Sequence, residues 1–560
     1  MSATSPEDRP QPPDGGGVAR VRGNDYRVLQ PPEHFTPELR VSVIIPAYGG
    51  QRKLDLVLQA LARQTYPAEL TEIIVVDNGS VPPLRLPQGV DARLVLCEQP
   101  GRACARNAGL AEATGDVIHW LDSDVVLTPG AIEAHMRWHH TAPYLSVTGF
   151  IRFTSAEPPE VLPDDLEAAF EPAEPHAWLV RLVERTDGLV RGTQRPFSLH
   201  VGGATSVSAR LVELAGPMDD ELILGQDTEM GYRLAQAGAV FIPEPRARAY
   251  HLGPTMRMRE QKRIDRVSHA FVADRIPAYQ WLRTHPDRQW KIPYVTAVVD
   301  GTAGYDNVRA TVDALLAGTT GDLSVVVVGP WDKLDRDRRA PLKDPDLELV
   351  LVHGHYEHES RIHLATTEEV HPSVPFVLRV PAGWVPGEDT VSRLLNVAKA
   401  DEAGLVGVLL EETPEGVTVA RLERVSSFAR ARLVARPGEP LDDVVDEVSA
   451  VRWVEGETYG FGREPVELLG RRAAYRARTE ARAEADRLAK ENERLRAQVA
   501  KWRDEAGRWR KSAVELRREV GTLRRDLHAA TRAAQTAAKT GVRFKLPGRV
   551  KRALRRATGH

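Results

Sequence analysis

Asp122 and Asp124 stand one residue apart at the end of the apolar run His119-Trp120-Leu121. Side chains two apart on an extended segment point to the same side, so the two carboxylates are placed to share one hard divalent cation, with Ser123 between them. Asp-x-Asp also recurs in ordinary surface loops, so the surroundings must decide. Three further positions bear on the choice. Arg106, in the run Gly101-Arg102-Ala103-Cys104-Ala105-Arg106-Asn107-Ala108-Gly109, is either a solvated helical charge or a phosphate contact. Asp227 and Glu229 open a helical stretch, where acidic residues often serve only the cap and the macrodipole. His251, after the strand that starts at Val240, is a metal ligand or a structural imidazole.

The elements that would position these residues read as strand, helix, strand. Val41-Ser42-Val43-Ile44-Ile45-Pro46 is a short β-branched run stopped by proline, as in a buried parallel strand. Leu54, Val57, Leu58 and Leu61 then follow at helical spacing. Ile73-Ile74-Val75-Val76-Asp77 is a second buried strand, closed by Asn78-Gly79-Ser80. Such βαβ units build parallel sheets that bind ligands at the carboxyl ends of their strands. Pro46, Ala47, Tyr48, Asp77 and Asp122 all fall at those ends, which makes them candidate ligand contacts.

Composition limits the alternatives. A chain of 560 residues is too long for one ordinary core. Its 75 basic and 78 acidic residues are nearly balanced, which argues against general nucleic-acid binding. Two cysteines, Cys97 and Cys104, are too few for a disulfide framework and fit a reducing, cytoplasmic setting. No apolar run is long enough to span a bilayer, and Met1 to Gly17 has neither the apolar centre of a signal peptide nor that of an anchor. Residues 1–39 are expected to be a disordered or loosely attached lead-in.

Taken together, Val-x-Ile-Ile-Pro-Ala-Tyr, Val-Val-Asp-Asn-Gly-Ser, Ala-Arg-Asn-x-Gly, Leu-Asp-Ser-Asp, Gly202-Gly203 and Gln-Asp-x-Glu-x-Gly-Tyr-Arg-Leu resemble the inverting family 2 glycosyltransferases. No single motif is specific; their joint order and spacing are. The resemblance runs from about Arg40 to Gly253 and implies an α/β fold of the GT-A type over residues 40–285. It further implies that Pro46, Ala47, Tyr48 and Asp77 hold the base and ribose of a nucleotide sugar, a UDP-sugar if Asp77 accepts from uracil. Arg106 and Ser123 would lie near that nucleotide, Asp122 would contact ribose or metal, Asp124 would bind Mn²⁺ or Mg²⁺, and His251 would be a further metal ligand. Asp227 falls where the family keeps its catalytic base. Gln226 departs from the Glu of many relatives, which touches acceptor contacts rather than the base. The activity implied is transfer of a sugar to a hydroxyl of a glycan or lipid-linked acceptor, in cell-wall or surface polysaccharide assembly. A non-catalytic scaffold is the alternative, and the intact carboxylates speak against it. A nucleotidyltransferase would share the sheet, but would normally show a Gly-rich nucleotide loop after the first strand.

From Lys291 the pattern restarts. Val295 to Val299, Val308 to Leu316 and Val325 to Pro330 parallel the first strand, helix and second strand. Aligned through Thr128-Pro129-Gly130 and Val385-Pro386-Gly387, Asp77 meets Gly329, Asp122 meets Arg379 and Asp124 meets Pro381. Residues 291–470 are therefore expected to be a degenerate GT-A-like domain without transferase activity.

Residues 471–530 are rich in Ala, Arg, Glu and Leu without Pro. Leu488, Leu495, Trp502, Trp509, Leu516 and Leu523 recur every seventh residue, with Ala485, Asn492, Val499, Ala506, Ala513, Val520 and Leu527 forming a second row. These are the d and a rows of a coiled coil, and Leu at d with Asn at a favours a parallel homodimer. The tail, 531–560, carries Arg543, Lys545, Arg549, Lys551, Arg552, Arg555 and Arg556 among Phe544, Leu546, Val550 and Leu554. Such a cluster is drawn to anionic lipid headgroups, which would place the protein peripherally at the inner face of a membrane.

Overall fold

A computed structural model describes residues 18–191, 195–285, 288–334, 339–464, 471–541, 543 and 545–558. The described residues divide into two units, one before and one after the boundary between positions 466 and 467.

The first unit holds two large sheets. Nine strands build the first: β1 (Val41–Ala47), β2 (Thr71–Asp77), β3 (Arg93–Leu96), β4 (Val117–Leu121), β5 (Val125–Leu127), β6 (Leu145–Thr154), β7 (Ala173–Pro175), β8 (Ala204–Ser208) and β9 (Val240–Leu252). Their order is β3-β2-β1-β4-β8-β6-β9-β5, with β7 beside β6. β1 lies at the parallel centre between β2 and β4. Because it is covered on both faces, it reads as an unbroken β-branched run rather than an alternating one. Helix Arg102–Glu112 packs on it through Gly109, where a Cβ would overlap Ile44 of β1 and lie 3.0 Å from Val76 Cγ2 of β2. β1, β2 and β4 thus end at one edge, and the short antiparallel pair β5 and β9 lies beside that edge.

The second sheet repeats the first. It consists of β10 (Val295–Asp300), β11 (Leu323–Val328), β12 (Ile362–Ala365), β13 (Phe376–Arg379), β15 (Leu405–Thr413), β16 (Gly416–Arg424) and β17 (Val451–Glu455), while β14 (Val385–Pro386) pairs with β18 (Phe461–Gly462). The order β12-β11-β10-β13-β16-β15-β17 matches β3-β2-β1-β4-β8-β6-β9 strand for strand. Each neighbouring pair also runs in the same relative direction, two antiparallel pairs following the parallel ones and a parallel pair closing the row. The registers correct the alignment made from sequence. Val41 pairs with Val117 and with Thr71, and Val295 pairs with Phe376 and with Leu323. Gly329 is therefore the equivalent of Asp77, as expected, but Pro381 rather than Arg379 is the equivalent of Asp122. The second copy is two residues shorter between this strand and its Pro-Gly turn, which displaced an alignment anchored on the turn.

The lead-in also differs from expectation over its described part, residues 18–39. Val21 is fully buried, the Asn24 amide exchanges hydrogen bonds with the Phe241 backbone (2.9 and 2.8 Å), and Arg20 pairs with Glu439 and Glu447. Residues 1–17 lie outside the described residues. Beside a core of its own on each sheet, the two halves meet in a third, in which Phe428, Ala431, Val434 and Val445 pack with Met230, Leu234 and Phe241. Arg430 crosses the junction and donates to the carbonyls of Gly238 (2.9 Å) and Ala239 (2.8 Å); burial pushes its guanidinium down to about 10.

In the second unit a helix runs from Arg471 to Thr540 and a short one from Gly548 to Thr558. Val542, Phe544, Gly559 and His560 of the tail lie outside the described residues.

Candidate active site

The carboxyl ends of β1, β2 and β4 open onto a cavity of about 480 Å³, whose lining includes Pro46, Ala47, Tyr48, Asp122, Ser123, Asp124, Asp227 and His251. These expected site residues come from widely separated parts of the chain and share one wall. Tyr48 stands at the rim with 78% of its surface exposed, just before the left-handed pair Gly49 and Gly50 that turns β1 into helix Gln51–Leu61.

Asp124 and His251 meet because β5 pairs with β9 in a register that sets Val125 opposite His251. The Leu252 amide donates to the Asp124 carbonyl at 2.9 Å, and His251 Nε2 lies 3.5 Å from Asp124 Oδ1. His251 Nδ1 is 2.7 Å from the Gly253 carbonyl. A carbonyl only accepts, so Nδ1 carries a proton, and Nε2 is the ring nitrogen turned toward Asp124. An imidazole anchored in this way through one nitrogen is oriented as metal-ligating imidazoles are. Lys53 approaches the same carboxylate from the other flank, with Nζ 3.5 Å from Oδ2 and a hydrogen bond of 2.5 Å to the Leu252 carbonyl.

Two expected nucleotide contacts have other partners. Asp77 does not line the cavity. Its buried carboxylate accepts from the Ser80 amide (2.8 Å) and the Leu84 amide (3.0 Å), closing the turn after β2. Burial pushes that carboxyl up, but the hydrogen bonds outweigh it and hold the group below the ordinary range. Asn78 reaches the cavity in its place. Arg106 has no exposed surface and lies behind the wall. Its guanidinium bonds Asp122 Oδ1 (2.9 Å), Asp227 Oδ1 and the Gly202 carbonyl (2.7 Å). Asp122, expected to share a cation with Asp124, is thus turned in part to Arg106. Among the described residues no three carboxylate, imidazole or thiolate groups converge as a preformed cation site. Asp124 and His251 are two groups that would suit a small divalent ion, were phosphate oxygens and water to complete its shell.

Asp227 is the second residue of helix Gln226–Gln236, whose cap, Gly225, has a φ of 95° that L side chains rarely adopt. Burial pushes its carboxyl up, yet the nearby charges of Arg106 and Arg102 outweigh this and hold it below the ordinary carboxylate range. It is an ionised acceptor at neutral pH. Gly202 sits against this pair, and a Cβ there would overlap Arg106 and Asp227.

Several lining residues were not singled out from sequence: Arg102, Asn78, Thr228 and, from helix Met256–Arg275, Met256, Arg257 and Ser268. Arg102 had a usable signal, since it lies one helical turn before Arg106 on the same face. Lys53 had none, because its approach to Asp124 depends on the tertiary fold.

Residues 42–193 match the family model described as glycosyl transferase family 2. Over 91 residues the chain is 36% identical to the glycosyltransferase AglE of Haloferax volcanii, covering 15% of this chain and 30% of that protein. It is 26% identical over 321 residues to the chondroitin synthase of Pasteurella multocida, covering 51% of this chain and 33% of that one. The chain thus spans roughly a third of the length of these curated relatives. Among solved structures, a mannosyltransferase from Pyrobaculum calidifontis in complex with GDP-Man and Mn²⁺ aligns with 20% identity and a TM-score of 0.28, over 41% of this chain and 63% of that one. By motif order, sheet topology and family match, residues 42–193 lie in an α/β domain that matches glycosyl transferase family 2.

Proposed function

We propose that this protein transfers a sugar, with inversion, from a nucleotide-diphosphate donor to a hydroxyl of a glycan or lipid-linked acceptor, in assembly of a cell-wall or surface polysaccharide. The observation that carries the reading is the meeting of Asp122, Asp124, His251 and Asp227 on one cavity wall. Tyr48, Pro46, Ala47 and Asn78 line the nucleotide end, and a UDP-sugar is the donor proposed. Asp124 and His251 hold Mn²⁺ or Mg²⁺, with Asp122 beside them; the imidazole tilts the preference toward Mn²⁺. When bound, the cation neutralises charge developing on the diphosphate leaving group. Arg102, exposed on the wall and held firmly charged by Asp122, Asp227 and Asp124, adds a second positive charge there. Asp227 takes the proton of the acceptor hydroxyl as it attacks the anomeric carbon. One such base on the face opposite the leaving group gives inversion in a single step.

The second sheet, in this reading, has no donor site. Gly301 and Gly329 occupy the positions of Ala47 and Asp77, and the Trp331 indole lies across both. A Cβ at Gly301 would be 2.7 Å, and at Gly329 2.6 Å, from Trp331 Cζ2. The tail helix Gly548–Thr558 presents Arg549, Lys551, Arg552, Arg555 and Arg556 and meets anionic lipid headgroups. Among the described residues no helix is long and apolar enough to cross a membrane.

Thermal stabilisation by a panel of nucleotide sugars with Mn²⁺ tests the donor class, because a ligand that binds only the native state raises its stability by mass action. A shift with one nucleotide sugar and an inverted anomeric product by NMR is the expected result. No shift with any member, together with no transfer, would leave the scaffold alternative standing. A crystal soaked with the stabilising donor is expected to show density at the first sheet only.

A further inference from the structure

Along helix Arg471–Thr540 the a and d rows lie open. Leu488 is 56% exposed, Trp502 65%, Trp509 77% and Leu516 60%. Apolar side chains so exposed at a strict seven-residue period need a covering surface of the same period. The chain supplies that cover at one point. Helix Gly548–Thr558 packs back on the long helix, and Ala530, the next d position after Leu523, is buried together with Val550. From Ala485 to Leu527 the seam has no cover from the described residues of its own unit.

The residues flanking the seam indicate what covers it and which way it runs. The e row, directly after each d residue, holds Arg496, Arg503, Arg510, Arg517 and Arg524. The g row, directly before each a residue, holds Glu484, Glu491, Glu505, Glu519 and Asp526, with Gln498 and Ser512 between them. In a parallel pair each g residue faces the e residue five positions later on the other helix; in an antiparallel pair e faces e and g faces g. Parallel packing therefore sets Glu491, Glu505 and Glu519 against Arg496, Arg510 and Arg524 of the other copy. Antiparallel packing would set the arginine row against itself and the acidic row against itself. Within the chain, Glu484 and Glu491 pair with Arg487 and Arg494 at short helical spacing. Among the described residues the e-row arginines have no carboxylate partner.

We propose that the seam from Ala485 to Leu527 is closed by a second copy of this chain, parallel and in register, with the e-row arginines clasping the partner's g-row carboxylates. Register follows from Asn492, the polar a residue, which satisfies its amide only opposite its own counterpart. Ala506 and Ala513, small residues at a, leave room beside Trp502 and Trp509 at d. The arrangement brings both copies of helix Gly548–Thr558 to the same end of the rod, doubling the basic charge presented there. The inference stands whether or not the first domain transfers sugar.

Sedimentation of the full chain at micromolar concentration is expected to give twice the 61.9 kDa chain mass. Deleting residues 471–540 is expected to give the single-chain mass. The triple variant Arg496→Glu, Arg510→Glu, Arg524→Glu should also sediment as a monomer, while keeping the far-ultraviolet helix signal of an exposed helix. Adding Glu491→Lys, Glu505→Lys and Glu519→Lys to it should restore the dimer. Oxidising Ala485→Cys should link two chains covalently, since only a parallel pair in register sets the two sulfurs together. A monomeric wild type, a dimer that survives the deletion, a triple variant that still pairs, or a dimer that Ala485→Cys fails to link would each overturn the proposal.

Discussion

Asp122 and Asp227 are bound to the two terminal nitrogens of a single guanidinium, that of Arg106, which has no exposed surface of its own. One carboxylate belongs to the edge of the cavity proposed to hold the cation and the other to the helix that would supply the base. The distance between the two halves of the site is therefore set by a rigid, planar cation rather than by either loop. Gly202 completes the clamp through its carbonyl, which accepts from the same guanidinium.

If Asp227 is the base, Asp227→Asn removes proton acceptance while keeping the side chain's size. Turnover with the true acceptor should fall about 10³-fold, within the range general-base removal produces. Donor binding, read as thermal stabilisation with Mn²⁺, should stay within a few degrees of wild type. Wild-type turnover in the variant would remove Asp227 from its proposed role.

Arg106→Ala leaves Asp122 and Asp227 facing each other without their shared cation. Breaking a buried pair by removing one partner typically costs about 3 kcal/mol or more, and urea denaturation should show a loss of that order. Arg106→Lys should recover little, because one ammonium on a flexible stem cannot place two separate nitrogens on two carboxylates. Gly202→Ala should mimic the loss, since its Cβ would overlap the same clamp.

For the cation, Asp124 and His251 are the groups to vary. Removing even an outer partner of a metal ligand commonly costs about tenfold in affinity, so Asp124→Asn and His251→Ala should each weaken Mn²⁺ binding by at least that factor. Electron paramagnetic resonance of free Mn²⁺, titrated in the presence of UDP, reads this directly. Chelation should abolish donor stabilisation in the wild type, and unchanged Mn²⁺ binding in both variants would place the ion elsewhere.

The central strands were legible because a strand buried on both faces has a composition of its own. β1 and β2 were readable as β-branched runs, and the ends of β1 and β4 located Ala47, Tyr48 and Asp122 on the cavity. The intramolecular partners of Asp77 and Arg106 were not legible. Their types suit a ligand site, but Asp77 serves the local turn at Ser80 and Leu84, and Arg106 serves Asp227, a residue far along the chain. The packed segment after residue 17 was invisible for a similar reason. Val21 stands among basic residues in the short run Val18-Ala19-Arg20-Val21-Arg22, and the partners that order its surroundings, Glu439 and Arg430 among them, lie more than four hundred positions away. The second copy was legible in its strands but not in its register, because a two-residue deletion lies between the strand and the turn used to align it.

A buried histidine group gives the first domain a distinct response to acid. His119, His135 and His139 lie together beside Ser206, whose hydroxyl is 2.8 Å from both His135 Nδ1 and His139 Nε2, and His200 lies buried near Ser146. Neither ring nitrogen of His119 has a hydrogen-bond partner among the described residues. Burial pushes His119 and His200 down to about 4 and His139 to about 3, and holds His135 well below the ordinary value. In the unfolded chain these rings bind protons below about pH 6.5. Between that pH and about 4, the unfolded state takes up protons that the native state refuses. Stability should therefore be full above pH 6.5 and fall as the pH drops through this window, by up to about 1.4 kcal/mol per pH unit for each ring. The paired carboxylates Asp77 and Asp227, whose native values are depressed, act in a separate window below the ordinary carboxylate range. Urea midpoints measured from pH 7.5 to 4.5 should show the steep loss already above pH 5, and His119→Phe, which keeps a ring in an apolar slot, should make it shallower. A flat profile down to pH 5 in the wild type would mean that these histidines are protonated, or exposed to water, in the native protein.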